Sequence, residues 1–174
     1  MKKISAVLAI LLIAATMFAL TACSSSGGYE SKNATDDEEA ESIKAKDYDK
    51  DFDGLIDYLL DKGYIFNYMY SKSDSSEKVS LKSDLYYEVV GAKNGVRYYF
   101  TDQKTYIEIY DFSGKSNSAA EKALDDIKDD GKFKPTDTSD NLTAVISDSG
   151  KYVIAYNESN KYDYDKITDE LKNW

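Results

Sequence analysis

The apolar positions change their period several times along the chain, and each period predicts an element. Phe52, Leu55, Ile56, Leu59 and Leu60 recur at the i, i+3, i+4, i+7, i+8 spacing of an amphipathic helix, and Gly63 stands where a C-terminal glycine stops one. Over residues 64–70 aromatics occupy every second position, which predicts a strand, followed by a Ser- and Lys-rich loop over residues 71–78. Residues 85–90, 91–95 and 96–101 read as strand, glycine-bounded turn and strand. Ser118, Ala119, Ala120 and Glu121 have the form of a capping box, Ala120, Ala123, Leu124 and Ile127 give the helical stripe after it, and Gly131 ends it. Residues 142–147 and 151–157 predict a hairpin around Asp148, Ser149 and Gly150. Tyr164, Ile167, Leu171 and Trp174 predict a closing helix whose aromatic end meets the core.

One hairpin is specified in detail. If Asp102 and Gln103 form a two-residue loop, Phe100 faces Thr105, Tyr98 faces Ile107 and Val96 faces Ile109 on an apolar side. The other side then sets Tyr99 against Tyr106, and Arg97, the only arginine, against Glu108. Both are favourable cross-strand pairs, and a slip of one residue breaks them together. Neighbouring strands joined by tight turns, interspersed with helices, predict an α+β fold: an antiparallel sheet with helices packed on one face, in two layers.

The N-terminus has a different pattern. Lys2 and Lys3 precede an apolar run without a charge, from Ile4 to Ala22, that ends in small residues before Cys23. This is the order of parts in an export signal. Leu20, Thr21, Ala22 and Cys23 resemble the lipobox of bacterial lipoproteins, which implies that Cys23 is diacylated and becomes the new N-terminus. A membrane-spanning helix is the competing reading, but Ser24, Ser25, Ser26, Gly27 and Gly28 bring no positive charge after the apolar run. The division expected is residues 1–22 as lipoprotein signal peptide, 23–47 as lipidated cysteine and acidic flexible tether, and 48–174 as one globular domain. A free tether of this length reaches about 25 to 30 Å.

Charge changes the picture of partners. The chain carries a formal net charge of −10, and removing residues 1–22 takes two lysines and no acid, leaving −12. That excess repels nucleic acid and anionic headgroups, so the membrane is engaged through the acyl chains alone. Cys23 is the single cysteine, so the domain holds no internal disulfide and depends on its core. With no histidine in the chain and its one thiol capped, the imidazole-based catalytic sets and the usual zinc and iron ligand sets are missing. The domain is therefore expected to be non-catalytic and to need no cofactor.

Two features remain as candidate sites. Asp49, Asp51, Asp53, Gly54 and Asp57 match positions one, three, five, six and nine of an EF-hand-like calcium loop. Position twelve is Leu60, which gives no oxygen, and the helical stripe already begins at Phe52. The alternative is that Asp49 or Asp51 caps the helix and acids near its start favour the helix dipole. The second feature is the set of 16 tyrosines. Tyrosine is both a good strand residue and a frequent binding residue, and Tyr99, Tyr106 and Tyr110 fall on the hairpin side expected to stay open. Beyond the lipobox, the chain resembles in architecture and composition the small exported lipoproteins of Gram-positive bacteria. The resemblance implies a lipid-anchored domain on the extracytoplasmic face of the cell membrane; the first expectation for its role is a non-catalytic interaction domain that binds a protein or glycan. A calcium-responsive module is the second expectation and a transporter-associated binding subunit the third.

Overall fold

The computed structural model describes residues 29–30, 37–71, 73–74, 76–114, 117–136, 139–157 and 164–174. The signal segment and Cys23 lie outside the described residues. Among the described residues there are nine strands: β1 (Tyr29–Glu30), β2 (Tyr68–Ser71), β3 (Lys78–Ser80), β4 (Lys82–Asp84), β5 (Asn94–Tyr99), β6 (Tyr106–Asp111), β7 (Lys132–Phe133), β8 (Leu142–Ile146) and β9 (Tyr152–Tyr156). The helices are α1 (Asp37–Ser42), α2 (Phe52–Asp61), α3 (Ser118–Asp130) and α4 (Tyr164–Lys172), with short 3-10 turns at Ala45–Asp47 and Tyr87–Val90.

The main sheet has six strands in the order β4-β5-β6-β9-β8-β7, every pair antiparallel. A smaller antiparallel sheet has the order β1-β2-β3. The two meet at Leu81, which is fully buried; its N–H donates to Asn67 O and its carbonyl accepts from Tyr99 N. One extended segment thus leaves the small sheet and becomes the edge of the large one.

The α+β class and the antiparallel sheet are as the sequence predicts, and the helices cover both faces of the sheet rather than one. Phe52, Leu55 and Leu59 of α2 and Ile167 and Leu171 of α4 pack on Val96, Tyr98, Ile107, Ile109 and Ile154. Ala120, Ala123 and Ile127 of α3 pack on the opposite side, on Tyr110, Phe133, Leu142, Val153 and Ala155. The reason lies in the central strands. β9 reads Tyr-Val-Ile-Ala-Tyr, apolar without alternation, and a strand with no polar side needs cover on both.

The β5–β6 register is the predicted one: Val96 pairs Ile109, Arg97 pairs Glu108, Tyr98 pairs Ile107 and Tyr99 pairs Tyr106. The connection is longer than two residues. Phe100 N donates to Thr105 O and Gln103 N to Phe100 O, so residues 101–104 form the loop, with Gln103 left-handed at φ 55. Asp102 holds it by accepting from the backbone N–H groups of Lys104 and Thr105 and from the Thr105 hydroxyl.

Four other expectations are corrected. Residues 85–90 are not a strand: Tyr87–Val90 is a 3-10 turn, closed by Gly91 at φ 76 and by Ala92 N donating to Tyr87 O. The strand in front of it is β4, which ends at Asp84, six residues before the predicted end at Val90. Residues 64–67 continue the stop of α2, with Tyr64 N donating to Leu59 O, so β2 starts only at Tyr68; it pairs with β3, and Ser71 N donates to Glu77 O. Asn117, not Ser118, caps α3: its Oδ1 accepts from Ala119 N and Ala120 N, and its Nδ2 donates to Gly91 O. A serine hydroxyl lacks the reach to do both. Finally, the stretch expected as a free tether carries β1, α1 and the Ala45–Asp47 turn, and Ile43 and Ala45 pack against the core.

Candidate binding surface

The aspartates of the calcium-like segment are not gathered around a point. Asp51 is the N-cap of α2 and accepts from Gly54 N at 2.9 Å. Asp53 and Asp57 lie one turn apart on the exposed side of the helix, and Asp49 precedes the cap. Helical backbone from Phe52 onward turns successive side chains about 100° apart, where a calcium loop needs them convergent. Among the described residues no group of three or more His, Cys, Asp or Glu side chains is placed to hold a metal ion.

Gly54 has a different task from the sharp turn of a calcium loop. A Cβ there would stand 2.1 Å from the Asp49 carbonyl oxygen, so the chain entering α2 lies directly on the glycine. Gly54→Ala is expected to lower stability by about 1 to 3 kcal/mol in urea unfolding, because the overlap outweighs the gain in helix propensity. A gain in stability would show that residues 49–51 do not lie against the helix.

The expected tyrosine face is occupied from within. Tyr110 is fully buried under α3, with its ring edge-on to Phe133 at 5.2 Å, and its hydroxyl donates to Glu108 Oε2 at 2.6 Å. Tyr99 and Tyr106 are half-buried and meet edge-to-face at 5.8 Å. Arg97 lies between them: its guanidinium stands 4.4 Å over the Tyr106 ring, one N–H donates to the Tyr99 hydroxyl, and Nε donates to Glu108 Oε1 at 2.9 Å. A second guanidinium nitrogen donates to the same carboxylate oxygen. Burial opposes the Arg97 charge, but hydrogen bonds to Tyr99 and Glu108 more than offset it and raise its pKa above the ordinary arginine value. Glu108 is 1% exposed and accepts on both oxygens. With its donors and acceptors engaged by each other, this cluster binds its own members.

Other tyrosines do the same. The Tyr58 hydroxyl donates to Glu170 at 2.6 Å, Tyr48 to Asp61 at 2.7 Å and Tyr106 to Asp140 at 3.1 Å. In a chain with 32 acids and 22 bases, tyrosine supplies neutral donors that satisfy carboxylates without needing another cation.

The surface that does stand free was missed in the sequence. Tyr86 is 87% exposed and Val89 56%, the largest exposures among the large hydrophobic side chains described. Val89 lines a groove of about 390 Å³ between the Tyr87–Val90 turn, α3 and the segment after β7. Its buried lining is Val90, Ala123 and Phe133, and around them stand Pro135 and the charged Lys122, Asp126 and Lys134, with Lys122 paired to Asp126. The position of the turn is fixed by Gly91, whose Cβ would meet Ala120 N at 2.6 Å and Asn117 Oδ1 at 2.3 Å; only glycine lets the turn lie against the start of α3. The signal available was the run Leu85, Tyr86, Tyr87, Glu88, Val89, Val90, whose apolar positions do not alternate as a strand with one wet face requires.

Comparison of the chain with protein-family models, with curated proteins and with solved structures finds no match, so function has to be argued from these residues.

Proposed function

We propose that the chain is a membrane-tethered extracytoplasmic lipoprotein whose domain is a non-catalytic binding module. The observation that carries the binding reading is the groove that Val89 lines, with Tyr86 exposed at the head of the same turn. Most other described aromatic side chains are buried or half-buried, and Tyr68, 41% exposed, lies under the Lys78 ammonium; here an aromatic and a β-branched side chain stand in water on the turn that borders an apolar trough. Exposed aromatics next to concave apolar surface are the composition of a protein-binding site. The tethering rests on Lys2, Lys3, the uncharged run and the lipobox residues Leu20 to Cys23.

The pairing of β1 with β2 alters the reach of such a tether. Tyr29 pairs with Ser71, so five residues, 24–28, separate the anchoring Cys23 from the folded body. The extended chain from Cys23 to Tyr29 spans at most about 20 Å, against the longer reach of a fully free linker. The domain then works close to the bilayer.

Cys23→Ser is expected to release the protein from membrane fractions or to leave it as uncleaved precursor, with incorporation of labelled fatty acid lost. A cleaved Cys23→Ser protein that stays with the membrane would overturn the lipobox reading. For the binding reading, Tyr86→Ala and Val89→Ser should leave thermal unfolding unchanged and abolish association of the anchored chain with whatever it holds in the envelope. Unaltered association in both variants would remove the groove from consideration.

A further inference from the structure

On its α2 side the main sheet ends in a polar row. The cross-strand rows Tyr98, Ile107, Tyr156 and Val96, Ile109, Ile154 are apolar, and the row after them is Asn94, Asp111 and Tyr152. The Asp111 side chain is only 3% exposed. Its Oδ1 accepts from Ser113 N at 2.7 Å. Among the described residues its Oδ2 accepts no hydrogen bond: the Lys93 ammonium stands 3.7 Å away, beyond hydrogen-bond length, on a side chain that is 60% exposed. A carboxylate drawn out of water is costly unless donors reach both oxygens, and here one oxygen lacks them.

Asp111 lines a cavity of about 270 Å³ at the start of α2, together with Asp51, Asp53, Lys93, Asn94 and Tyr152. Phe52, Asp53 and Asn94 also line a second hollow, of about 410 Å³, so the two adjoin. The second has apolar walls from Phe52, Ile56, Leu85, Tyr87 and Val96, with the opposite charges of Lys82 and Asp84 on the edge strand. An acidic pocket thus opens into a trough with apolar walls.

We propose that this pair of hollows binds a primary ammonium group carrying an apolar substituent, with the ammonium on Asp111 Oδ2 and the substituent along Phe52 and Ile56. The site is separate from the groove that Val89 lines, and neither depends on the other.

The sign of the ligand follows from the lining. Three carboxylates face one lysine in the smaller hollow, within a chain of strongly negative charge, so the field there favours a cation. The N-terminus of α2 by itself suits an anion, but Asp51 already supplies one by accepting from Gly54 N. The kind of cation follows from geometry. The carboxylates are not placed to converge on a metal ion, whereas an ammonium needs only one of them as a charged acceptor. Space for more than an ion, continued by apolar walls, calls for an organic amine. Lys93 holds the place loosely: its ammonium is exposed and too distant to hydrogen-bond, so displacing it costs little.

The test uses the full chain, isotope-labelled, in detergent micelles. The backbone amide resonances of residues 51–53, Asn94 and Ser113 are followed during titration with leucine amide and with its N-acetyl form, which keeps the apolar part and loses the charge. Leucine amide is expected to give saturable shifts at these positions in the millimolar range, and the acetylated form none. Asp111→Asn retains an acceptor for Ser113 N and should weaken binding about tenfold or more, because the charge-assisted bond is lost. Lys93→Met removes the competing ammonium and should tighten binding about threefold, with the unfolding temperature unchanged because the side chain is exposed. A purely structural Asp111 gives no such gain, and the lysine variant decides the matter even if Asp111→Asn does not fold. Equal binding of the two probes, no shifts at these positions, or unaltered or weaker binding by Lys93→Met overturns the proposal. Of the two sources of such an ammonium, tighter binding of leucyl-glycyl-glycine amide than of isoamylamine supports a peptide amino terminus, and equal binding supports a free amine.

Discussion

Glu108→Ala is expected to destabilise the domain by about 3 to 5 kcal/mol, a large part of the stability of a domain this size. Glu108 sits in the middle of β6 with its side chain almost wholly out of water. Its carboxylate receives the Arg97 guanidinium on one oxygen and the Tyr110 hydroxyl on the other. Truncation leaves the Tyr110 hydroxyl without its acceptor inside the α3 layer and leaves the Arg97 guanidinium, 29% exposed and still bonded to the Tyr99 hydroxyl, without its carboxylate. The buried hydroxyl then costs its desolvation and the half-buried charge part of its own, which together exceed what the hydrogen bonds contribute when intact. The cost therefore comes from breaking the set rather than from its strength. Replacing all three members together, by Arg97→Met, Glu108→Leu and Tyr110→Phe, is accordingly expected to recover most of the loss. Urea unfolding of the single and triple variants decides the matter. A Glu108→Ala loss below about 1 kcal/mol would mean that the carboxylate is not buried between its partners.

The same cluster shows what could be read from the chain and what could not. Its register was legible because two independent constraints agreed: apolar Val96, Tyr98, Ile107 and Ile109 on one side, and the Arg97–Glu108 and Tyr99–Tyr106 pairs on the other. The start of α2 was legible because the helical spacing began at Phe52, inside the calcium-like loop, and Asp51 is the cap that this spacing requires. What covers the second side was not legible from the hairpin alone. An ion pair and two tyrosines suit a wet face, and only the unbroken apolar run of β9, three strands along in sequence but adjacent in the sheet, demands that α3 lie there. The Tyr87–Val90 turn was hidden for another reason. Its residues have strand propensity, and tertiary constraints override it: the left-handed Gly91 and the closeness of the α3 start leave no room for an extended path. The exposed aromatic that defines the candidate surface sits in that one misread segment.

The tyrosines that proved to be structural predict a steep loss of stability above pH 10. Burial is the first cause of their raised pKa values: it lifts Tyr98 to about 12, with the Asp57 charge adding to it. Burial with the hydrogen bond to Glu170 lifts Tyr58 further, and burial with the Glu108 charge lifts Tyr110 further still. Because these folded-state values lie above the unfolded one, stability is complete below pH 10. It falls as pH rises from there, where the unfolded chain releases protons that the folded chain retains. Each fully buried tyrosine contributes about 1.4 kcal/mol per pH unit in that window. Three of them give an upper bound of about 8 kcal/mol by pH 12, comparable with the whole stability of a domain. Lysines lose their charge in the same range and leave the acids uncompensated, which pushes in the same direction. Tyr98→Phe separates the two causes. Among the described residues the Tyr98 hydroxyl has no hydrogen-bond partner, so its removal should leave stability at pH 7 equal or up to about 1 kcal/mol higher. It should also reduce the slope above pH 10 by about one tyrosine's share, which the lysine effect cannot do. The measurement is urea unfolding at several alkaline pH values beside tyrosinate absorbance. Tyrosinate formation at Tyr58, Tyr98 and Tyr110 should lag until the fold gives way, and their ionisation near pH 10 with the fold intact would refute the burial of these rings.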